Sequence, residues 1–168
     1  KIDERFYTYF YKGNIQIFDK LKEQIIEINY PAISITSYQQ GLFLCMDRNR
    51  KCFYVDTNGN QLLADRFDNA NRFFGDIAVT KSREKYNFIN REGVLINSFS
   101  HYGSIEPINA SFYKAQSYSW YGIVDNQGRV LIPNKYQRLT LVGDYWIQAF
   151  KDNTISYYNL KTRKWLVK

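Results

Sequence analysis

The chain has 168 residues and a formal net charge of +7; 45% of its residues are hydrophobic and 18% are aromatic. An apolar fraction of this size supplies a buried core, which excludes a disordered chain. Only three prolines and nine glycines exclude a collagen-like or low-complexity chain. The sequence has no run of about 18 apolar residues, so it contains no transmembrane helix. The many Tyr and Phe residues favour β structure, because aromatic side chains suit half-buried pleated surfaces.

Short apolar runs separated by turn residues predict five consecutive units, each a three-stranded β-meander. The first unit is the least regular, as expected of a terminal repeat. The predicted strands are 6–10, 15–19 and 25–26; 42–46, 52–56 and 61–63; 77–79, 86–89 and 94–96; 112–115, 121–124 and 130–132; and 146–150, 155–158 and 165–167. The unit boundaries are 1–38, 39–73, 74–110, 111–143 and 144–168, within a single domain. Short connectors at residues 30–33, 67–70 and 136–139 lead from one unit to the next.

The turn between the second and third strands of a unit carries the repeat signature. Three copies begin with Asp or Asn and end with Gly: Asp56 to Gly59, Asn90 to Gly93, and Asp125 to Gly128. Successive glycines lie 34 and 35 residues apart, a period typical of repeat architectures. Asp and Asn accept hydrogen bonds from the turn backbone, and Gly adopts the positive φ of a turn end. We therefore expect structural roles for these six residues. Because Asn replaces Asp within the same chain, a pair of catalytic carboxylates is not favoured.

These features predict an all-β fold, a tandem array of about five three-stranded meanders with a period of 34–35 residues. An open twisted array suits the short period, since propeller blades usually have four strands and about 40 or more residues. A closed barrel-like or small propeller-like arrangement is the alternative.

Two segments resemble the WG-repeat family, bacterial proteins built from tandem β-rich repeats of similar length. Residues 121–133 (YGIVDNQGRVLIP) match the first part of that family's repeat, and residues 67–79 (FDNANRFFGDIAV) match the second part. Tyr121 stands where the family has the Trp of its Trp-Gly pair. The resemblance covers nearly the whole chain and implies a β-repeat scaffold with a binding or structural role. It carries over no catalytic residue and no cofactor.

The ionisable residues form no recognisable catalytic or metal-binding motif. The single histidine, His101, has only loop serines as sequence neighbours, an arrangement too common to predict a catalytic dyad. One histidine and two cysteines are a poor ligand set for zinc, and the sequence has no calcium-binding or phosphate-binding loop. We therefore expect no enzyme activity, no metal and no cofactor.

Cys45 and Cys52 flank a predicted hairpin turn at Arg48 and Asn49. A two-residue turn there would place Cys45 directly opposite Cys52, close enough for a disulfide. Two reduced cysteines packed as small apolar groups are the favoured alternative, since buried Cys is often unbonded. A disulfide would favour an extracytoplasmic location in a bacterium over the cytoplasm.

The aromatic residues exceed what one core face requires, most clearly in the last two units. The predicted ligand-binding residues are Tyr118, Trp120, Tyr145 and Trp146. Exposed rings would stack on sugars or apolar side chains, whereas cross-strand pairing within the array is an equal alternative. The favoured function is a non-enzymatic binding or scaffold module with an unknown protein or glycan partner.

Basic residues recur in the turns between the first and second strands of the units. They are Lys12, Arg48, Arg50, Lys51, Lys81, Arg83, Lys85 and Lys151. In a stacked array these turns would line one edge, which makes a nucleic-acid-binding module the alternative function. Acidic residues dilute this basic rim, and solubility or protection of strand edges explains the charge equally well.

Overall fold

The chain folds into five small antiparallel sheets that follow one another along the sequence, as seen in a computed structural model that describes residue 2 and residues 4–166. The first two sheets have three strands each, and the other three have four. Within the described residues every regular element is a strand, and the sheets do not close into a barrel. The predicted all-β array of five units is confirmed. No helix in this part of the chain is long and apolar enough to cross a membrane.

The strands pair in chain order within every sheet, so each sheet is a meander. The first sheet contains β1 (Phe6–Tyr11), β2 (Asn14–Asp19) and β3 (Gln24–Ile26), and the second contains β4 (Ser34–Gln39), β5 (Leu42–Met46) and β6 (Cys52–Asp56). The third contains β7 (Asn69–Ala70), β8 (Ala78–Ser82), β9 (Lys85–Ile89) and β10 (Leu95–Phe99). The fourth contains β11 (Ser104–Pro107), β12 (Phe112–Ser117), β13 (Trp120–Asp125) and β14 (Val130–Tyr136). The fifth contains β15 (Arg138–Val142), β16 (Trp146–Lys151), β17 (Thr154–Asn159) and β18 (Lys164–Trp165).

Each sheet after the first begins with a strand that the sequence pattern assigned to the end of the preceding unit. β7 lies in the predicted connector 67–70, yet Asn69 and Ala70 pair with Lys81 and Thr80 of β8. β4, β11 and β15 likewise open their sheets. The sheets therefore begin earlier than the predicted units, and the last three have four strands instead of three. The connectors span only four residues each, too few to show the alternation that indicates a strand.

The far edge of the second sheet is irregular. Residues 61–63, predicted as a strand, contribute an isolated bridge between Gln61 and Val55 instead of a regular pairing. In the fifth sheet the predicted strand 165–167 overlaps β18, and Val167 lies outside the described residues.

The hydrophobic core of the described chain lies between sheets, in four clusters that each join two consecutive sheets. Side chains alternate between the two faces of a strand. Every sheet therefore has two faces. The rear face contacts the preceding sheet in the second to fifth sheets. The front face contacts the following sheet in the first to fourth sheets. The central front-face position of the first four sheets is fully buried and holds Ile17, Tyr54, Phe88 and Ile123. The adjacent rear-face position of the last four is also buried and holds Val55, Ile89, Val124 and Tyr158.

In all five sheets an Asp or Asn caps a turn. It is the last residue of β2, β6, β13 or β17, or the residue that follows β9. In each case the side-chain Oδ1 accepts two backbone N–H groups; the residues are Asp19, Asp56, Asn90, Asp125 and Asn159. At Asp125 the donors are the N–H groups of Gln127, at 3.0 Å, and Arg129, at 2.9 Å. This is the capping geometry expected for an Asx turn, and it occupies the carboxylates structurally.

The glycines that end three of these turns are required for two separate reasons. Their φ angles are positive: +86° at Gly59, +80° at Gly93 and +77° at Gly128. Each glycine also lies against the preceding unit, since an added Cβ would collide with the backbone oxygen of Glu27 at the first and with the side chain of Leu63 at the second. A Cβ at Gly128 would collide with a side chain of the third sheet. The turn is therefore part of the contact between units.

A matched pair of substitutions separates the two reasons. Gly41 has a φ of +88° but no atom within 4 Å of the place its Cβ would occupy, so Gly41→Ala should cost only backbone strain, about 1–2 kcal/mol. Gly59→Ala should cost about 1–3 kcal/mol more, because its methyl group forces the turn away from Glu27. Chemical denaturation measures both losses in the free energy of unfolding. Equal losses would contradict the contact between units.

Asp19 combines its cap with a buried ion pair. Its side chain is fully buried, and its two carboxylate oxygens accept hydrogen bonds from Nε and Nη2 of Arg5 at 2.8 and 2.6 Å. The Arg5 guanidinium outweighs the opposing effect of burial and, with the backbone N–H groups of Lys22 and Leu21, lowers the pKa of the carboxyl group. The pair therefore stabilises the fold above the unfolded-state pKa, and this contribution is lost as the pH falls through the lowered folded-state pKa.

The substitution Asp19→Asn isolates this ion pair from the cap. Asn90 and Asn159 cap equivalent turns, so the variant should keep the turn and lose only the attraction to Arg5. We expect the variant to be less stable than the parent at pH 7, with the gap narrowing as the pH falls below about 4, where Asp19 of the unfolded parent becomes protonated. Urea unfolding at neutral and acidic pH measures the gap. A gap independent of pH would show that the pair contributes nothing.

The predicted opposition of Cys45 and Cys52 is wrong. The turn between their strands comprises residues 47–51, so Cys45 pairs with Phe53 and Cys52 pairs with Met46. A shift of one residue moves a side chain to the other face of a sheet. Cys45 therefore lies in the cluster between the first and second sheets, and Cys52 packs against the cluster between the second and third. Both cysteines are free.

Thiol labelling without reductant tests this arrangement. Burial raises the pKa of the Cys45 thiol to about 12 and also raises the pKa of the half-buried Cys52. In native protein at mildly alkaline pH, Cys45 should react only as fast as the chain unfolds, and Cys52 should react faster. The single variants Cys45→Ser and Cys52→Ser assign the two rates. Denatured, unreduced protein should contain two free thiols, and the absence of free thiol would contradict the register.

Candidate interaction surfaces

The predicted ligand-binding aromatics are exposed, but the structure does not bring them together. The four residues are Tyr118, Trp120, Tyr145 and Trp146. Tyr118 and Trp120 lie at the hairpin tip between β12 and β13. Trp146 pairs with the turn cap Asn159, at the opposite end of its sheet from the corresponding tip, and Tyr145 lies in the turn just before it. The four side chains thus belong to two surfaces.

The first surface is built around the β12–β13 hairpin tip. Tyr118 is 92% exposed, and Trp120 is 38% exposed. The Oγ of Ser117 donates a hydrogen bond to the backbone oxygen of His101 at 3.1 Å, which brings the exposed His101 beside the hairpin. The His101 ring lies against Tyr102, with 4.0 Å between the ring centroids. We name Tyr118, Trp120 and His101 the tip surface.

Hydrogen bonds hold the tip surface in a defined shape. Gln116 Nε2 donates to the backbone oxygen of Tyr118 at 2.8 Å. Asn134 Nδ2 donates to the backbone oxygens of Ala115 and Trp120 at 2.8 and 3.1 Å.

Tyr118 has a φ of +52°, a conformation that costs a residue with a Cβ about 1–3 kcal/mol. Lys12, Arg83 and Asp152 hold the same position in three other two-residue hairpin turns, and each has a φ of +48°. The backbone conformation therefore belongs to the turn, and the exposed aromatic side chain is what distinguishes the fourth tip.

The predicted basic rim does lie at the hairpin tips, but ion pairs neutralise part of it. Lys51 pairs with Asp68, and Lys81 pairs with Glu84 at 3.1 Å. The fourth tip carries Tyr118 instead of a basic residue. A nucleic-acid site needs a row of cations that neutralise successive phosphates, and the rim is interrupted where the array is most aromatic.

The rear face of the first sheet is an uncovered apolar surface. Tyr7, Tyr9, Phe18 and Ile25 line an open groove of about 830 Å³. Tyr7, Tyr9 and Ile25 are 37%, 38% and 52% exposed. By strand register, the residues equivalent to Tyr7 in the other sheets are Phe43, Ala78, Tyr113 and Ile147. All four are fully buried against a preceding sheet.

The front face of the fifth sheet is the counterpart at the other end of the array. It carries Val142, Trp146, Phe150, Ile155 and Tyr157. Tyr157 holds the position that is fully buried in the first four sheets, yet here it is only half-buried and its hydroxyl accepts a hydrogen bond from Gln148 Nε2 at 2.9 Å. Val142 and Ile155 are exposed. Sequence analysis missed both end faces, although their signal was present: large apolar residues at core positions of the two terminal units.

The ionisable groups of the described chain serve structure. No three His, Cys, Asp or Glu side chains within residues 2 and 4–166 lie close enough to hold a metal ion. The buried Asp125 is occupied by its cap and by Arg129 at 2.7 Å and Arg163 at 3.5 Å. Arg163 comes from the fifth sheet and Asp125 from the fourth, so this group fastens two sheets together.

Five consecutive antiparallel meanders packed face to face define a β-propeller-like repeat array. Within this array, residues 53–86 match the WG containing repeat family. The segment that links the second and third sheets is therefore a WG repeat, and the resemblance found in the sequence is confirmed there. No curated protein sequence matches the chain.

Solved structures with related folds include propeller-type proteins. The array is similar to BamB from Moraxella catarrhalis, with a TM-score of 0.51 and 11% identity over 96% of this chain and 62% of BamB. It is similar to the computationally designed Ika4 protein, with a TM-score of 0.52 and 14% identity over 80% of this chain and 96% of Ika4. The C-terminal WD40 domain of Sif2 gives a TM-score of 0.50 and 13% identity over 90% of this chain and 50% of that chain. Identities this low show the fold alone, and the chain spans less than two thirds of BamB and half of the Sif2 domain.

Proposed function

We propose that the chain is a non-enzymatic binding module that recognises a protein partner through the tip surface. The observation that carries the proposal is Tyr118, an almost fully exposed aromatic residue at the tip of a hairpin whose backbone is held by the side chains of Gln116 and Asn134. Aromatic side chains with few rotatable bonds lose little entropy on binding, which is why they dominate protein interfaces. A rigid scaffold that displays such a residue on a hairpin is a common basis for recognition.

The polar groups around Tyr118 favour a protein over a glycan. Recognition of a sugar requires free hydrogen-bonding groups beside the stacking ring. Here the amide nitrogens of Gln116 and Asn134 are already donated to backbone oxygens of the hairpin, and Gln116 Oε1 accepts from Ser104 at 3.3 Å. The amide nitrogens beside the rings are therefore engaged within the hairpin, and the remaining polar groups are those of Tyr118, Trp120 and His101 themselves, which suits a protein segment that packs on the ring faces.

A nucleic-acid partner receives less support. The basic rim is neutralised in part by its own ion pairs and is broken at the fourth tip. The net charge of +7 supplies general attraction for any acidic partner. The charge would thus speed association without selecting the partner.

Selection from a displayed random-peptide library tests the proposal. Peptides enriched by the parent chain should bind the Tyr118→Ala variant about tenfold or more weakly, because loss of a central aromatic anchor typically has an effect of this size or larger. The matched control is Tyr145→Ala, since Tyr145 is also an exposed tyrosine but lies at the opposite end of its sheet. That variant should retain the parent's affinity, and both variants should melt at the parent's temperature.

Three results would refute the proposal. Peptides that bind Tyr118→Ala as tightly as the parent would show that the binding site lies on another surface. A glycan array that yields Tyr118-dependent ligands, while the peptide library yields none, would replace protein by glycan. Binding of DNA or RNA that weakens steeply with added salt would favour the basic rim.

A further inference from the structure

We propose that the front face of the fifth sheet binds the rear face of the first sheet of a second copy of this chain. Copies of the chain would then associate head to tail. The junction that joins consecutive sheets inside one copy would be repeated between two copies. This proposal is independent of the tip surface, which lies at a hairpin tip outside both faces.

The four internal junctions provide the template for this contact. Each joins the front face of one sheet to the rear face of the next, and in the described chain no core cluster joins the fifth sheet to the first. Within the described residues, the front face of the fifth sheet and the rear face of the first therefore belong to no core cluster with another sheet. An interface made from these two faces continues an interface that the same sequence already forms four times.

The rear face of the first sheet keeps large apolar residues at the positions of Tyr7 and Phe18. The equivalents of Tyr7 and Tyr9 in the other four sheets are nearly or completely buried, although those of Tyr9 are smaller residues: Cys45, Thr80, Ala115 and Ala149. Phe18 occupies the position of Val55 and its buried counterparts. The first sheet presents two tyrosines, a phenylalanine and Ile25 on that face, with Lys20 and Glu23 beside them.

The front face of the fifth sheet is apolar in the same way. Tyr157 lies at the position that Ile17, Tyr54, Phe88 and Ile123 fill in the internal junctions. Val142, Trp146, Phe150 and Ile155 surround it. By register its polar members are Arg138, Thr140 and Gln148. Gln148 is already bonded to the Tyr157 hydroxyl at 2.9 Å, and the Arg138 guanidinium lies over the Phe150 ring, 5.4 Å from its centroid.

The size of the faces determines how strong the contact should be. Strands lie about 4.8 Å apart and extend about 3.3 Å per residue, so the face of the three-stranded first sheet is roughly 14 Å by 20 Å and that of the four-stranded fifth sheet roughly 19 Å by 20 Å. An interface of this size is smaller than stable specific interfaces. We therefore expect reversible association that depends on concentration. Because the two faces differ, the contact is heterologous, and assembly can continue beyond two copies.

Sedimentation of the purified chain over a wide concentration range is the first test. The weight-average mass should rise steadily from that of a monomer as the concentration approaches about 1 mM, as expected of a weak interface. A mass that stays monomeric throughout would overturn the proposal.

Two complementary variants then test the head-to-tail geometry. Tyr7→Glu places a carboxylate in the rear face of the first sheet, and Tyr157→Glu places one in the front face of the fifth. Each variant alone keeps one functional face and should remain monomeric. A mixture in equal amounts combines an intact front face with an intact rear face, so it should form a heterodimer and nothing larger.

Controls make the outcome decisive. Val94→Glu introduces the same charge at an exposed turn position of the third unit, outside both faces, and should associate like the parent. Thermal melts establish that each variant is folded; if either is not, Tyr9→Glu or Trp146→Glu replaces it at the same face. Self-association of both single variants at the parent's level would overturn the proposal, because it would place the contact on another surface. A mixture that stays monomeric would also overturn it.

Discussion

Packing between consecutive sheets is the interaction on which the rest of this structure depends. A sheet of three or four short strands with apolar residues on both faces cannot bury either face by itself. Placing two such sheets face to face buries large side chains, each of which contributes about 1.5–3 kcal/mol relative to exposure. The core of this chain lies between its sheets. Stability is accordingly a property of neighbouring pairs, as in other repeat proteins.

The turns take part in the same junctions. In the second, third and fourth sheets the capped turn ends with a glycine that touches the preceding unit, so the turn and the packing require the same residue. The fifth sheet lacks this glycine. There Arg163, with a φ of +57°, ends the turn, and its guanidinium reaches the buried Asp125 of the fourth sheet at 3.5 Å. At the last junction the Arg163–Asp125 ion pair therefore replaces the close glycine contact that the three earlier turns make.

Local patterns predicted the features that local chemistry determines. The alternation of apolar residues, the capping Asp or Asn and the spacing of Gly59, Gly93 and Gly128 are each visible within a few residues, and they predicted an all-β repeat array. The first strand of each later sheet was missed because β4, β7, β11 and β15 each contribute at most one buried residue, so their apolar pattern is weak. The register of Cys45 and Cys52 was missed because it depends on whether the intervening turn has two residues or five.

The outer faces of the first and fifth sheets were not recognised from the sequence for a related reason. Exposed and buried tyrosines look alike in a sequence, and Tyr7 and Tyr113 hold the same repeat position. Only their neighbours distinguish them, since Tyr113 faces the third sheet and Tyr7 faces solvent. Within the described residues, the outer faces of the first and fifth sheets therefore differ from the internal faces in that no other sheet packs on them. Both outer faces still carry large apolar residues. The net charge of +7 opposes association of copies. Apolar end faces and a repulsive charge together would give a contact that forms only when copies are concentrated or the charge is screened.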